Sequence, residues 1–362
     1  MSGFDDLPPF GISGTRGADW DDWDPTRARS GYTGHVRALR DLDRLRSMPG
    51  MAPSPLPQSS SPASALTPAG IATLERMRTA DYLTATWDLH DPGFVEIYDS
   101  IIVPEWSTPF GRLLLSVFLT LPRDPAWQLL DVACGTGYPT LELARFLGKD
   151  SDIAGIDPWE EAIQLARRKA TTEWLRNVTF LDRDLGDTGL PDRGFDVITC
   201  NLGLTSFADP ASALGSMWRL LRPQGHLVLT IPAQAAMREF LDTYYLTLRD
   251  LRLNDFMAAF ARQVAARPTI ESVRGLIERA GFEVRRVATD SFSLRYPDVQ
   301  SFLRSPVIQT VHLSSWREIV PDLTLRRLVF NEVDRRLTAR LSAAGGMLSV
   351  TVPMVCVSAV RL

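Results

Sequence analysis

Residues 129–137 read Leu-Leu-Asp-Val-Ala-Cys-Gly-Thr-Gly, an apolar strand that runs into a tight glycine turn with a carboxylate nearby. A strand feeding such a turn lets the backbone approach a ligand closely and hands it to the N-terminus of the next helix, as nucleotide-like cofactor sites require. The alternation continues along the chain. Short apolar runs at 129–133, 153–157, 178–182, 195–201 and 226–231 alternate with helix-period stretches at 140–147, 159–171 and 211–221. This order predicts a parallel sheet with helices on its faces. Residues 269–280 predict another helix, closed by Gly281. A long strand at 282–295, a helical interruption at 297–343 and a last strand at 347–361 follow. The expected fold class is α/β, a doubly wound seven-stranded sheet, mostly parallel, with an antiparallel last strand and a helical lid.

The chain has 362 residues, 45% of them hydrophobic, enough for one large domain with appendages. A net charge of -4 argues against a nucleic-acid binder, which would carry a basic footprint. Cys134, Cys200 and Cys356 are scattered without CxxC spacing, which suits buried free thiols in a reducing compartment and neither a disulfide framework nor a metal site. The N-terminus lacks a basic and apolar leader pattern, and the most apolar run, 113–121, is short for a membrane span; the expected location is cytoplasmic. Residues 49–70 are rich in Pro, Ser and Ala, carry no charge and read as a linker. Upstream of it, 19–24 (DWDDWD) is acidic and aromatic, and 35–48 places Val36, Leu39, Leu42 and Leu45 at helical spacing, a mobile tail or a docking segment.

Three features bear on the ligand. The third glycine of a GxGxxG dinucleotide turn is missing, because Thr140 stands where close helix–strand packing would want it. Asp157 follows Gly137 by twenty residues at the end of the second strand, where a carboxylate can bind a ribose diol. It also fits an N-cap, with Pro158 at the first helical position and Glu160 completing a capping box. Asp184, just past the third strand, can read adenine together with the backbone N–H of Leu185, or stand as a solvated loop residue.

Taken in series, Leu-Asp-Val-Ala-Cys-Gly-Thr-Gly, Gly-Ile-Asp-Pro, Asp184 before Leu190-Pro191, Phe195-Asp196-Val197-Ile198 and Leu-Arg-Pro-Gln-Gly resemble the class I S-adenosylmethionine-dependent methyltransferases. The likeness runs from about Tyr98 to the C-terminus and is strongest toward the quinone-biosynthesis C-methyltransferase and small-molecule branch. It implies a Rossmann-like fold and S-adenosyl-L-methionine as cofactor. By that resemblance Asp131, Ala133, Gly135, Thr136 and Gly137 line the methionine end, Tyr98 joins them, Asp157 and Pro158 hold the ribose, Asp184 and Leu185 the adenine, and Asn201 lies at the crevice. Ala133 replaces the first glycine of the family turn, and Gln224 replaces a glycine of the usual Pro-Gly-Gly. The domain division it implies is an extension at 1–80 and a methyltransferase domain at 81–362, with lid elements near 81–121, 233–265 and 297–343.

Methyl transfer needs alignment and exclusion of water; a base is optional. His312 is the best candidate base because it lies in the lid segment; His90, Tyr98, Tyr244 and Tyr245 are weaker ones. The strand ending Asn201-Leu202-Gly203-Leu204 lacks the Asn/Asp-Pro-Pro-aromatic loop of enzymes that grip a flipped base, so the expected partner is a small molecule, with no nucleic acid and no membrane span. A homodimer is left open. The leading expectation is transfer to O or C of a small aromatic or polyketide-like metabolite. The alternatives are a non-methylating cyclase or rearrangement enzyme, an inactive cofactor-binding subunit and, more distantly, a nicotinamide dehydrogenase.

Overall fold

The computed structural model describes residues 66–122, 126–344 and 346–362. The segments 19–24 and 35–48, and the linker up to residue 65, lie outside the described residues. The last residues of that expected linker are helix. Thr67 caps α1 (Pro68–Thr79) by accepting from the Gly70 backbone N–H at 3.3 Å. Met77 of α1 is buried with Phe94 and Ile97 of α2 (Pro92–Ile97). Three lid arginines hold the loop behind α1: Arg304 donates to Ala80 O at 2.8 Å, Arg317 to Ala85 O at 2.7 Å and Arg326 to Leu83 O at 2.9 Å.

A π-helical stretch, Tyr98–Ser107, continues into α3 (Thr108–Phe118). Pro104 sits inside it and has no N–H to close an ordinary helical ladder. The sheet then forms from β1 (Gln128–Val132), β2 (Asp152–Ile156), β3 (Val178–Leu181), β4 (Phe195–Asn201), β5 (Leu221–Pro232), β6 (Phe282–Tyr296) and β7 (Leu348–Arg361). Their order is β3-β2-β1-β4-β5-β7-β6. The first five are parallel, and β7 runs antiparallel to both β5 and β6, as the apolar runs predicted. Because strand order reverses between β1 and β4, a crevice opens at their carboxyl ends.

The strands are apolar on both faces because both are covered. Leu129, Ile153, Val197 and Val228 meet Phe110, Leu114 and Phe118 of α3 and Leu143 of α4 (Thr140–Leu147). Leu130, Ile156, Ile198 and Leu227 pack on the other side with Leu214 and Met217 of α6 (Pro210–Leu220) and Val273 and Ile277 of α9 (Ile270–Arg279). Between these last come α7 (Arg238–Asp250) and α8 (Met257–Ala265); α5 (Glu160–Thr172) follows β2. Residues 221–225 form a bulge within β5. The ladder steps from Phe195↔Leu221 to Val197↔His226, and Gln224 takes a φ of 64°, which explains the glycine common at that place.

The helical interruption resolves into α10 (Val299–Leu303), α11 (Pro306–Val311), α12 (Leu313–Glu318) and α13 (Leu323–Ala344). They join α7 and α8 through Phe240, Tyr244, Phe260, Phe302, Trp316 and Phe330; the Phe240 and Trp316 rings stack at 4.0 Å. The β6–β7 ribbon carries this layer past the end of β5, pairing on from Ser291↔Pro353 to Tyr296↔Leu348. Cys134, Cys200 and Cys356 are buried free thiols. No helix among the described residues is long and apolar enough to cross a membrane.

Candidate functional site

The glycine turn after β1 is wound by left-handed backbone: Ala133 has φ 58°, Gly135 φ 51° and Gly137 φ 96°. Glycine adopts this region freely, whereas Ala133 carries a Cβ there and bears about 1 kcal/mol of strain. Asp157, one strand over, holds the turn. Its Oδ2 accepts from Gly135 N–H at 2.9 Å and its Oδ1 from Trp159 N–H at 3.0 Å. The capping-box alternative is therefore not what forms: Trp159 is the N-cap residue of α5 and makes no side-chain cap bond. Burial pushes the Asp157 carboxyl above its usual range, opposed by the two backbone N–H groups. A carboxylate has about four lone-pair directions, so two remain for a diol.

Asp131 is placed differently from the expectation that it lines the cofactor. It is fully buried, and both oxygens are taken by threonine hydroxyls, Thr140 at 2.5 Å and Thr199 at 2.7 Å. Burial lifts its carboxyl to about 6 against those hydroxyls. Asp131 therefore braces the turn from below, and Thr140, in the position of the absent third glycine, is its partner. Asn201 is likewise engaged: its Nδ2 donates to Ser107 O at 3.2 Å and its Oδ1 accepts from Thr230 Oγ1 at 2.7 Å. Its side chain ties the end of β4 to the π-helix.

Other expected residues do converge on the turn. A Cβ built on Gly135 would stand 3.7 Å from Tyr98 Cε1, so the bare glycine keeps open the space beneath that ring. Burial, with the Asp157 charge second, raises the Tyr98 phenol to about 12, so it is neutral and a donor. Tyr98 packs edge-on against Trp159 at 5.1 Å. Thr136 Oγ1 is buried without a partner, while its carbonyl accepts from Lys169 Nζ at 2.8 Å. Pro158 is exposed, Leu185 buried and Asp184 exposed at the mouth of β3, where its Oδ1 accepts from Gly186 N–H at 2.7 Å. Asp157 at the end of β2, Asp184 at the end of β3, the glycine turn after β1 and the unpartnered Thr136 hydroxyl lie at one end of the sheet, a set of groups whose chemistry suits S-adenosylmethionine.

His312 lies between α11 and α12. It is 8% exposed, edge-on to Trp106 at 5.0 Å and stacked on Trp316 at 5.4 Å. Burial, then the nearby Arg267 charge, lowers its pKa to about 3, and its Nε2 is buried without a partner. A base so weak withdraws few protons at neutrality. Of the weaker candidates, His90 is an exposed surface residue paired with Glu161 at 2.9 Å, and the Tyr244 hydroxyl is buried on Trp316 O at 3.2 Å. The sequence reading missed Lys169, whose Nζ joins Asp99 and Thr136 O at 2.8 Å each, although lysine's rarity here was a usable signal. It also missed Trp159 and Arg267, which no spacing rule connects to the turn.

A family model for a methyltransferase domain matches residues 123–281. Nocamycin O-methyltransferase of Saccharothrix syringae is 30% identical over 277 residues, 72% of this chain and 94% of the relative. A ubiquinone/menaquinone biosynthesis C-methyltransferase of Proteus mirabilis is 27% identical over 43% of this chain, and the match spans 66% of that protein. A demethylmenaquinone methyltransferase of Deinococcus radiodurans is 39% identical over 32% of this chain and 53% of its own length.

Proposed function

The chain belongs to the class I S-adenosylmethionine-dependent methyltransferases, and from that premise we propose that it methylates an O or C atom of a small aromatic or polyketide-like metabolite. The observation that carries the substrate class is the aromatic lid. Trp106, Phe110 and Phe292 meet edge-on or tilted at 5.3–6.0 Å, and Phe240, Phe302 and Trp316 belong to the same aromatic cluster. Such walls bury ring-bearing ligands and exclude water. A relative matched over 94% of its length is, by its name, a nocamycin O-methyltransferase, which agrees with a small-molecule acceptor.

Bound S-adenosylmethionine supplies an activated methyl group. The chain's part is to hold and to align. Asp157 takes the ribose diol while fixing the Gly135 backbone; Asp184 and the Leu185 N–H take the adenine edge; Thr136 and the turn take the aminoacyl end. Tyr98 covers the turn from the π-helix, and the Asn201–Ser107 bond joins that helix to the sheet, so cofactor and acceptor walls are positioned together. Calorimetry with S-adenosylhomocysteine and NAD side by side, followed by transfer of labelled methyl to phenols, quinones and carboxylic acids, tests this reading. Binding of the first ligand alone, with label in at least one acceptor, is the expected result. Tight binding with no transfer to any acceptor class would overturn it.

A further inference from the structure

Arg267 lies two residues beyond α8 and reaches back to the carboxyl end of β5, where its Nη1 donates to Ala236 O at 2.5 Å and Gln234 O at 3.5 Å. It is partly buried, and no carboxylate among the described residues forms an ion pair with it. Burial alone lowers its pKa, to about 10, with no acidic neighbour opposing. A cation withdrawn from water without a counter-ion is unfavourable, and an arriving anion relieves it.

Its surroundings are of the same kind. His312 feels the Arg267 charge, and Trp316 stacks on His312. His312 Nε2 and Trp316 Nε1 are both buried without partners, the latter on a residue 0% exposed. Indole N–H can only donate, so its complement is an oxygen. Gln263, one helical turn before Arg267, donates to Ser315 Oγ at 3.0 Å, and Ser315 donates to His312 O at 2.8 Å. Trp106 connects this group to the cofactor side, since it contacts His312 and precedes Ser107, the acceptor of the Asn201 bond.

Resting on the methyl-transfer reading above, we propose that Arg267, His312 and Trp316 form one wall of the acceptor site and select an acceptor that arrives already ionised, a planar oxyanion such as a carboxylate or acidic enolate on a ring-bearing body. Arg267 reads the charge. The anionic oxygen attacks the methyl carbon of the sulfonium donor, the carbon–sulfur bond breaks with its electron pair passing to sulfur, and a neutral ester or ether and a neutral thioether result. The acceptor loses no proton in this step, so no base is needed. A neutral imidazole beside a guanidinium, useless for taking a proton from a phenol, suits that chemistry.

The test is isothermal calorimetry of the full chain, with and without S-adenosylhomocysteine, against matched acid and amide pairs of one, two and three rings: benzoate and benzamide, 1-naphthoate and 1-naphthamide, anthracene-9-carboxylate and its amide. At least one acid is expected to bind tenfold or more tightly than its amide. Arg267→Gln should bring that ratio within twofold of unity while S-adenosylhomocysteine affinity is retained, and Arg267→Lys should leave an intermediate ratio. Acids that bind no better than amides, or a preference that survives Arg267→Gln at full size, would overturn the proposal. Should Arg267→Gln not fold, the wild-type ratio and Arg267→Lys decide. Failure to bind S-adenosylhomocysteine would instead sink the methyl-transfer reading, and the acid-to-amide ratio without it still reports on Arg267.

Discussion

Asp157→Ala removes a carboxylate that holds Gly135 N–H at 2.9 Å and Trp159 N–H at 3.0 Å. Hydrogen bonds to a charged acceptor contribute about 1.5–3 kcal/mol each. The raised carboxyl pKa shows that burial already opposes the charge, so the net loss is nearer one such bond than two, about 2 kcal/mol. In a domain of this size that lowers the melting temperature by roughly 3–5 °C. If the remaining lone pairs bind the ribose diol, cofactor affinity also falls by about 3 kcal/mol, on the order of a hundredfold. Calorimetry with S-adenosylhomocysteine and a thermal melt separate the two roles. A variant that melts lower yet binds within threefold of wild type refutes the ribose assignment. One that melts unchanged refutes the tie to the turn. Asp157→Asn, which keeps one acceptor oxygen, should fall between wild type and alanine in both measurements.

Gly155→Ala would place a Cβ 2.8 Å from Phe180 Cδ1 and 2.9 Å from Cys134 Sγ, both in buried residues, so urea unfolding should show a loss of about 1–3 kcal/mol; a change below about 0.5 would mean that the site relaxes. Asp131 has a folded pKa of about 6 against an ordinary 3.8, so the native state holds its proton longer. That term lowers stability by roughly 3 kcal/mol as pH rises from about 4 to 6, and Asp131→Asn should remove it from a stability–pH curve. His312 has the opposite sign: with a folded pKa near 3 and an ordinary one of 6.5, its stability term is complete above pH 6.5 and lost as pH falls toward 3. His312→Phe should therefore lose about 2 kcal/mol less than wild type between pH 7 and 5, and equal losses would show that the imidazole is not held neutral.

Strand and helix order, the antiparallel β7, the helix from Ile270 to Arg279 before Gly281 and the glycine turn were all legible in the chain, because each is written in local periodicity, turn residues and caps within a few positions. The sequence resemblance likewise placed Asp157 and Asp184 at the ends of adjacent strands. What local pattern left open was the use of each side chain. Asp131 was expected at the ligand, and Thr140 and Thr199, 9 and 68 residues away, occupy both its oxygens in the buried interior. Asp157 also fitted a helix cap, and only the approach of Gly135, 22 residues earlier, made it the brace of the turn. His312 has the composition of a base, yet Trp106 and Trp316 surround it, with Arg267 nearby. By itself the sequence determined the fold, which follows from repeating short-range patterns and their order, and implied the cofactor through the family likeness of its motif series. Tertiary structure alone decided the protonation of Asp131 and His312 and the surroundings of Arg267, because burial and the proximity of groups distant in sequence set those properties.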